Sequence, residues 1–180
     1  MSFVLRSADK RDFQKIKNLY KQAFPAEERA PFFLIKRRAL QGKATVLTAE
    51  SDGVFVGFAY LVCYRELVYL FYFAVDSEKR GNGFGSRILQ ELRERFAGRR
   101  IFLAREQLEE GADNYSQRVK RRDFYLSNGF ADLPCRIKEA GVVYDVMGIG
   151  GNVSAVEYEA LITGWSGRLL KKFVDMRILP

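Results

Sequence analysis

EKRGNGFGSRIL, residues 78–89, sets three glycines within five positions. An apolar run, LVYLFYFAV (67–75), comes shortly before it, and an amphipathic run follows. Glycine in a helix or strand interior is destabilising by about 0.5–1 kcal/mol relative to alanine. A cluster of glycines therefore marks a turn that requires bare backbone. A strand that ends there and gives way to a helix leaves the first helical N–H groups unpaired and partially positive. With no side chains in the way, those amides can wrap an anion, best of all phosphate or pyrophosphate. Lys79 and Arg80 add full positive charge at the mouth.

Two familiar phosphate loops do not fit. A nucleoside-triphosphate loop ends in Gly-Lys-Ser/Thr, whereas Gly85 is followed by Ser86 and Arg87. A dinucleotide fingerprint needs G-x-G-x-x-G early in a βαβ unit. GNGFGS (81–86) has another spacing, and four strands are expected before it. Taken alone, the cluster also fits a plain tight turn.

Outward from the turn, hydrophobic periodicity gives a mixed α/β order. Residues 3–5 open as a strand. A helix is expected over roughly 9–24, capped by Ser7 or Asp9, with Phe13, Ile16, Tyr20 and Ala23 at helical spacing. FPAEERAPF (24–32) breaks it with two prolines, and a second helix follows over 32–41, ending at Gly42. Strands are expected at 44–50 and 54–64, joined by the turn SDG, and again at 67–75. After the glycine turn, Ile88, Leu89, Leu92 and Phe96 form the stripe of a helix that Gly98 stops. A strand at 100–105 leads to a helix over roughly 114–128, closed by Asn128–Gly129. Residues 135–149 read as a hairpin turning near Ala140–Gly141. Ser154 and Glu157 form a capping box, followed by two short helices separated by Gly164.

The chain has 180 residues, enough for one domain with a real core. Hydrophobic residues make up 48% and charged residues 29%, a globular composition. No apolar run reaches the ~18 residues that span a bilayer, so no membrane partner is expected. The N-terminus lacks a signal-peptide pattern, which points to the cytoplasm. Cys63 and Cys135 stand alone, without metal-type spacing, and are expected to be two buried thiols in a reducing compartment. There is no histidine. That excludes Ser-His-Asp and Cys-His catalysis and most zinc chemistry, and no metal site is expected. The net charge of +8 admits nucleic acid, an acidic membrane surface or an anionic small molecule. The densest cluster, RVKRR (118–122), sits in a helical stretch without interleaved aromatics, which makes nucleic acid a poor candidate.

Arg80-Gly81-Asn82-Gly83-Phe84-Gly85 matches Arg/Gln-x-x-Gly-x-Gly/Ala, and FAVD (73–76) lies just before it. FYLSNGF (124–130) follows, with a strand and a helix between. In these motifs and in element order from residue 3 to about 149, the chain resembles the GCN5-related N-acetyltransferases, the GNAT family. The resemblance implies an α/β (α+β) fold with a mixed, mostly antiparallel sheet of six to seven strands and helices on both faces. Residues 1–150 would form the acetyltransferase domain, and 151–180 a helical extension packed on it. It also implies a site. Backbone amides of Gly81, Gly83, Phe84 and Gly85, with Arg80, would hold the pyrophosphate of acetyl-CoA. Asn82 and Ser86 would add hydrogen bonds. Phe73, Ala74 and Val75 would offer main-chain groups to the pantetheine and the thioester. Tyr125 would sit near the sulfur. The implied reaction moves acetyl from acetyl-CoA to a primary amine of a small molecule or peptide by direct attack on the thioester, in a monomer or homodimer. The alternative is a non-catalytic acyl-CoA sensor or interaction module.

The amine must attack in its neutral form. For a lysine-like amine near pKa 10.4, deprotonation at neutral pH costs about 4–5 kcal/mol; for an α-amine near 8 it costs about 1–1.5 kcal/mol. A base or water chain must take that proton. Relatives often carry a glutamate in the fourth strand, where this chain has Tyr69, Leu70, Phe71 and Tyr72. The nearest carboxylates are Glu66 and Glu106, and Glu106 is the candidate base. Glu27 and Glu28 would suit a cationic acceptor. Many relatives have an asparagine seven residues before the tyrosine; Arg118 stands there, with Asn114 off register. Phe24, Phe32, Phe33 and Trp165 fit either an aromatic acceptor site or core packing.

Overall fold

The computed structural model describes residues 2–139, 141–171 and 177–179. Its elements run β1 (Phe3–Ser7), α1 (Asp12–Ala23), α2 (Phe32–Leu40), β2 (Thr45–Ser51), β3 (Val54–Tyr64), β4 (Leu67–Val75), α3 (Phe84–Arg95), β5 (Arg100–Glu106), α4 (Tyr115–Ser127), β6 (Ala131–Glu139), β7 (Val142–Ile149), α5 (Ala155–Lys171) and β8 (Arg177–Leu179). The strands are hydrogen-bonded in the order β1-β2-β3-β4-β5-β7-β6-β8. β4 and β5 run parallel, while β1-β2, β2-β3, β5-β7, β7-β6 and β6-β8 are antiparallel. The mixed sheet matches expectation, with eight strands instead of six or seven. The extra strand is β8, whose three residues pair with Arg136–Lys138 of β6. So short a stretch carries no readable alternation.

The chain divides into two compact units: Met1–Cys63 with Leu70–Ala97, and Tyr64–Tyr69 with Gly98–Pro180. The first unit holds α1, α2, α3, β1, β2 and most of β3 and β4. Its core contains Phe13, Ile16, Leu19 and Tyr20 of α1, Leu47 and Ala49 of β2, Phe58 and Tyr60 of β3, and Ile88, Leu89 and Leu92 of α3. The helical spacing read in α1 and α3 is thus the spacing of buried faces. Neither Ser7 nor Asp9 is the residue before α1; Arg11 is, without a side-chain cap. Asp12 takes over, accepting from the Asp9 amide at 2.7 Å and pairing with Arg6 at 2.7 Å. Phe24 and Phe32 pack around Tyr20, with ring centres at 5.5 and 5.7 Å. Only Phe33, of the aromatics at 24, 32 and 33, stands exposed, at 72%.

The second unit is built on β5, β6, β7 and β8 with α4 and α5. Tyr69 stacks on Phe102 at 4.4 Å, and Tyr158 of α5 meets Tyr69 edge-on at 6.1 Å. Trp165 is buried with Leu161 and Ile162, so it is a core residue. The capping box is present: Ser154 Oγ lies 3.3 Å from the Glu157 amide, and Glu157 accepts from the Ser154 amide at 3.1 Å. The helix behind it continues through Gly164 and is interrupted at Gly167, whose φ of 76° only glycine adopts readily. The hairpin forms between β6 and β7; of its two expected turn residues, Ala140 lies outside the described residues. The thiols are not both buried: Cys63 is exposed at the end of β3 and Cys135 is half-buried.

Candidate active site

β4 delivers the chain to the glycine turn. Val68, Leu70, Tyr72 and Ala74 are buried, while Phe71, Phe73 and Val75 are half-buried. Gly57 of β3 lies against its end. A Cβ on Gly57 would stand 2.6 Å from the Ala74 carbonyl oxygen and 3.3 Å from Val75 Cα. Glycine is therefore required where the two strands approach, beside the stretch expected to hold the pantetheine. A lone glycine inside a strand pattern is the sequence signal for such an approach.

After Val75, Asp76 caps a single 3-10 turn (Ser77–Lys79) by accepting from the Glu78 amide at 3.0 Å. Arg80 donates its Nε to the Val75 carbonyl at 3.2 Å, which anchors the guanidinium at the turn. Asn82 donates its side-chain amide to the Lys79 and Arg80 carbonyls at 3.1 and 3.3 Å. Its NH2 group thus stitches the turn together, which leaves Oδ1 as its outward polar atom. Gly81 and Gly83 have φ of 80° and 76°. A Cβ on either would meet nothing within 4 Å. The fold's own packing does not exclude side chains here. The left-handed backbone does, and open space lies in front of it.

Gly83 immediately precedes α3, and the Arg87 amide makes the first bond of that helix, to the Gly83 carbonyl at 3.1 Å. The amides of Phe84, Gly85 and Ser86 precede that bond and lack in-helix acceptors. The first turn is held from behind. Phe84 stacks on Phe3 at 6.2 Å, and the Arg87 guanidinium lies 4.6 Å from the centre of the same Phe3 ring. Left-handed glycines, free amides, an anchored arginine and open space fit a diphosphate group well. The structure thus brings Phe73–Val75, Arg80 and Gly81–Ser86 together in the first unit.

Tyr125 and Glu106 belong to the second unit. Tyr125 is buried on α4, between Phe124 and Phe130 with ring centres at 5.2 and 5.8 Å. Burial pushes its phenol up to about 12. Among the described residues its hydroxyl has no hydrogen-bond partner. Glu106 is crowded instead. Asn114 donates to it at 3.0 Å, Arg121 at 2.5 Å, and Arg118 stands at 3.2 Å. Burial opposes its charge, but these donors and cations win and hold the carboxyl below its usual range. Such a carboxylate is a weak proton acceptor. Arg118 also donates to the Gln107 carbonyl at 2.8 Å and to Asn114 at 2.7 Å. This network ties the start of α4 to the end of β5.

A model of the family described as "Acetyltransferase (GNAT) domain" matches residues 42–132, from before β2 into β6. The chain belongs to the GNAT acetyltransferase family. It is an acetyltransferase, and its acyl donor is acetyl-CoA. Solved structures share the fold. A GNAT-family protein from Bacteroides thetaiotaomicron is similar with TM-score 0.69 and 23% identity, covering 88% of this chain and 93% of that one. An aminoglycoside 6'-N-acetyltransferase complexed with coenzyme A has TM-score 0.62 and 17% identity, covering 81% and 95%. The ribosomal-protein-S18-alanine N-acetyltransferase from Escherichia coli has TM-score 0.63 and 16% identity, covering 85% and 96%. No curated protein matches the chain in sequence. Among the described residues, no helix is long and apolar enough to cross a membrane, and no acidic or cysteine cluster is arranged to hold a metal.

Proposed function

We propose that this protein is an N-acetyltransferase that moves acetyl from acetyl-CoA to a primary amine of a small molecule or peptide by direct attack on the thioester. The observation that carries the reading is the glycine turn, where two left-handed glycines open onto free space beside unpaired helix amides. Amides of Gly81, Gly83, Phe84 and Gly85, with Arg80, hold the diphosphate. Asn82 and Ser86 contribute side-chain polar atoms. Main-chain groups of Phe73, Ala74 and Val75 bind the pantetheine. Bound there, the thioester supplies an activated acetyl group. The protein's share of the acceleration is largely orientation of amine against thioester. Similar folds are named for aminoglycoside and for protein alanine acetylation, which supports keeping both acceptor classes in view. Two cysteines that form no disulfide suit a reducing, cytoplasmic setting.

Tyr125 serves the departing sulfur. With its phenol near 12 and a thiol near 8.5, full proton transfer would be uphill by about 5 kcal/mol. It therefore stabilises the thiolate by donating a hydrogen bond. Glu106 anchors α4. Its lowered carboxyl contributes stability that is present above its unfolded value and lost as pH falls through the lower folded value. Glu106→Gln should cost about 1–2 kcal/mol at neutral pH and nothing at a pH where the carboxyl is protonated, read by urea denaturation. Its kcat/KM should stay within about threefold of wild type. A large loss of activity with unchanged stability would return Glu106 to the role of base.

The test of the function is release of free thiol from acetyl-CoA in the presence of a panel of alkylamines, aminoglycosides and peptide α-amines. Steady, amine-dependent release is expected. Tight coenzyme A binding without turnover on any amine would favour the non-catalytic acyl-CoA module.

A further inference from the structure

β6 bulges where it runs beside β7. Asp132 is paired with Met147 and Arg136 with Asp145. Leu133, Pro134 and Cys135 therefore stand opposite Val146 alone, three residues against one. Proline has no N–H to give to the ladder, and a bulge re-aims the side chains around it. Gly148 makes room for the detour, since a Cβ there would lie 2.9 Å from Leu133 Cδ1. Beside the bulge opens a cleft of about 660 Å³, lined entirely by residues of the second unit. That volume lies in the range of small-molecule sites.

A row of charge walls the cleft. Arg105 of β5, Asp145 of β7 and Arg136 of β6 are cross-strand neighbours. Arg105 stands 3.0 Å from Asp132 and 3.1 Å from Asp145. Arg122 of α4 closes on Asp132 at 2.6 Å. Three guanidinium groups thus share two carboxylates, and both carboxylates are taken. The donors are not. Arg105 is 6% exposed, and its Nε has no hydrogen-bond partner. Arg122 holds Asp132 through Nε and Nη2, and Arg136 reaches Asp145 through Nε at 3.5 Å. Among the described residues, Arg122 Nη1 and both Nη atoms of Arg136 therefore have no acceptor. Donors shielded from water without an acceptor are costly. Cys135 does not offset the positive charge, because burial pushes its thiol up and keeps it neutral. Leu108, Leu133, Pro134 and Val146 supply an apolar side.

We infer that this cleft is a second ligand site, for a small organic oxyanion: a carboxylate or phosphate carried on a short apolar body. The free N–H groups of Arg122 and Arg136 meet the oxygens, in the forked geometry that guanidinium offers to either group. Arg105 behind them keeps the wall positive. The apolar side takes the body of the ligand. Because Arg122 belongs to α4 and Arg136 to β6, the bound anion ties the helix to the bulged strand.

The experiment uses the full chain carrying Cys63→Ser, in which Cys135 is the only thiol. Its labelling by a neutral maleimide is followed by mass at constant ionic strength, with butyl phosphate, butyrate or butanol added. One or both anions should slow labelling at least about fivefold at saturation, and butanol should not. Preference for butyl phosphate would mark a phosphate ester and preference for butyrate a carboxylic acid; both support the site. Arg122→Gln with Arg136→Gln should raise the concentration for half-protection about tenfold or more. Leu108→Trp leaves the ion pairs intact and fills the apolar side. It should also abolish protection, and it carries the test if the arginine variant fails to fold. The melting temperature covers a thiol too slow to label: the anion should raise it in the parent chain and not in Leu108→Trp. Neither protection nor a rise with either anion would show charges that only fasten α4 to the sheet, and would overturn the inference. Equal protection by butanol would overturn it too. Turnover plays no part in these readouts, so they hold whatever the amine panel gives.

Discussion

Gly83→Val should raise the dissociation constant for coenzyme A by at least about 100-fold, roughly 2.7 kcal/mol. Two effects combine. Gly83 sits at φ 76°, ψ 0°, where an L residue pays about 1–2 kcal/mol and a β-branched one more. Relief of that strain would turn the amides that follow away from the diphosphate. The new side chain would also enter the open space in front of the turn, which no protein atom fills. Gly98→Val is the control. Gly98 has φ 78° and equally open surroundings, but it lies beyond α3, away from the turn. It should lose similar stability and keep its affinity for coenzyme A. Calorimetric titration of both variants separates ligand exclusion from backbone strain. Unchanged uptake by Gly83→Val would remove the turn from the binding site.

Tyr125→Phe should lower kcat about 100-fold with coenzyme A affinity unchanged within about twofold. The hydroxyl is the only group removed. Its ring is buried, and among the described residues no protein acceptor competes for the proton. A preorganised donor aimed at a developing anion in such surroundings is worth about 2.7–4 kcal/mol. The ring contacts with Phe124 and Phe130 are kept, so stability should hardly move. Single-turnover measurement with acetyl-CoA and a weakly basic amine gives the chemical step directly. Full activity in the variant would make Tyr125 a packing residue.

The glycine turn was legible because its residues are contiguous and each has a local reason: Gly81 and Gly83 for φ, and the amides after Gly83 for the start of a helix. The amphipathic faces of α1 and α3 were legible for the same cause, a period matched to a buried face. The surroundings of Glu106, the candidate base, were not legible because they depend on Arg118, Arg121 and Asn114, which reach it from the next helix and the residue before it. Trp165 offered a large aromatic in the tail, and only the fold shows it inside the core. Gly57 had a local signal, a glycine amid a strand, but the carbonyl it accommodates is supplied by Ala74. Glu139, whose Oε1 accepts from the Tyr69 and Tyr158 hydroxyls, had none. Its partners stand 70 residues before it and 19 after it, and no spacing rule connects three residues so arranged.

Tyr158 lies on α5, well past residue 132 where the family match stops. A shortened version ending at β7 would retain the diphosphate turn and Tyr125 but discard one of the two hydroxyls that steady Glu139. Without α5, Tyr69 would be the one donor left to that carboxylate among the described residues, so the segment past the family match helps to satisfy a polar group inside the second unit.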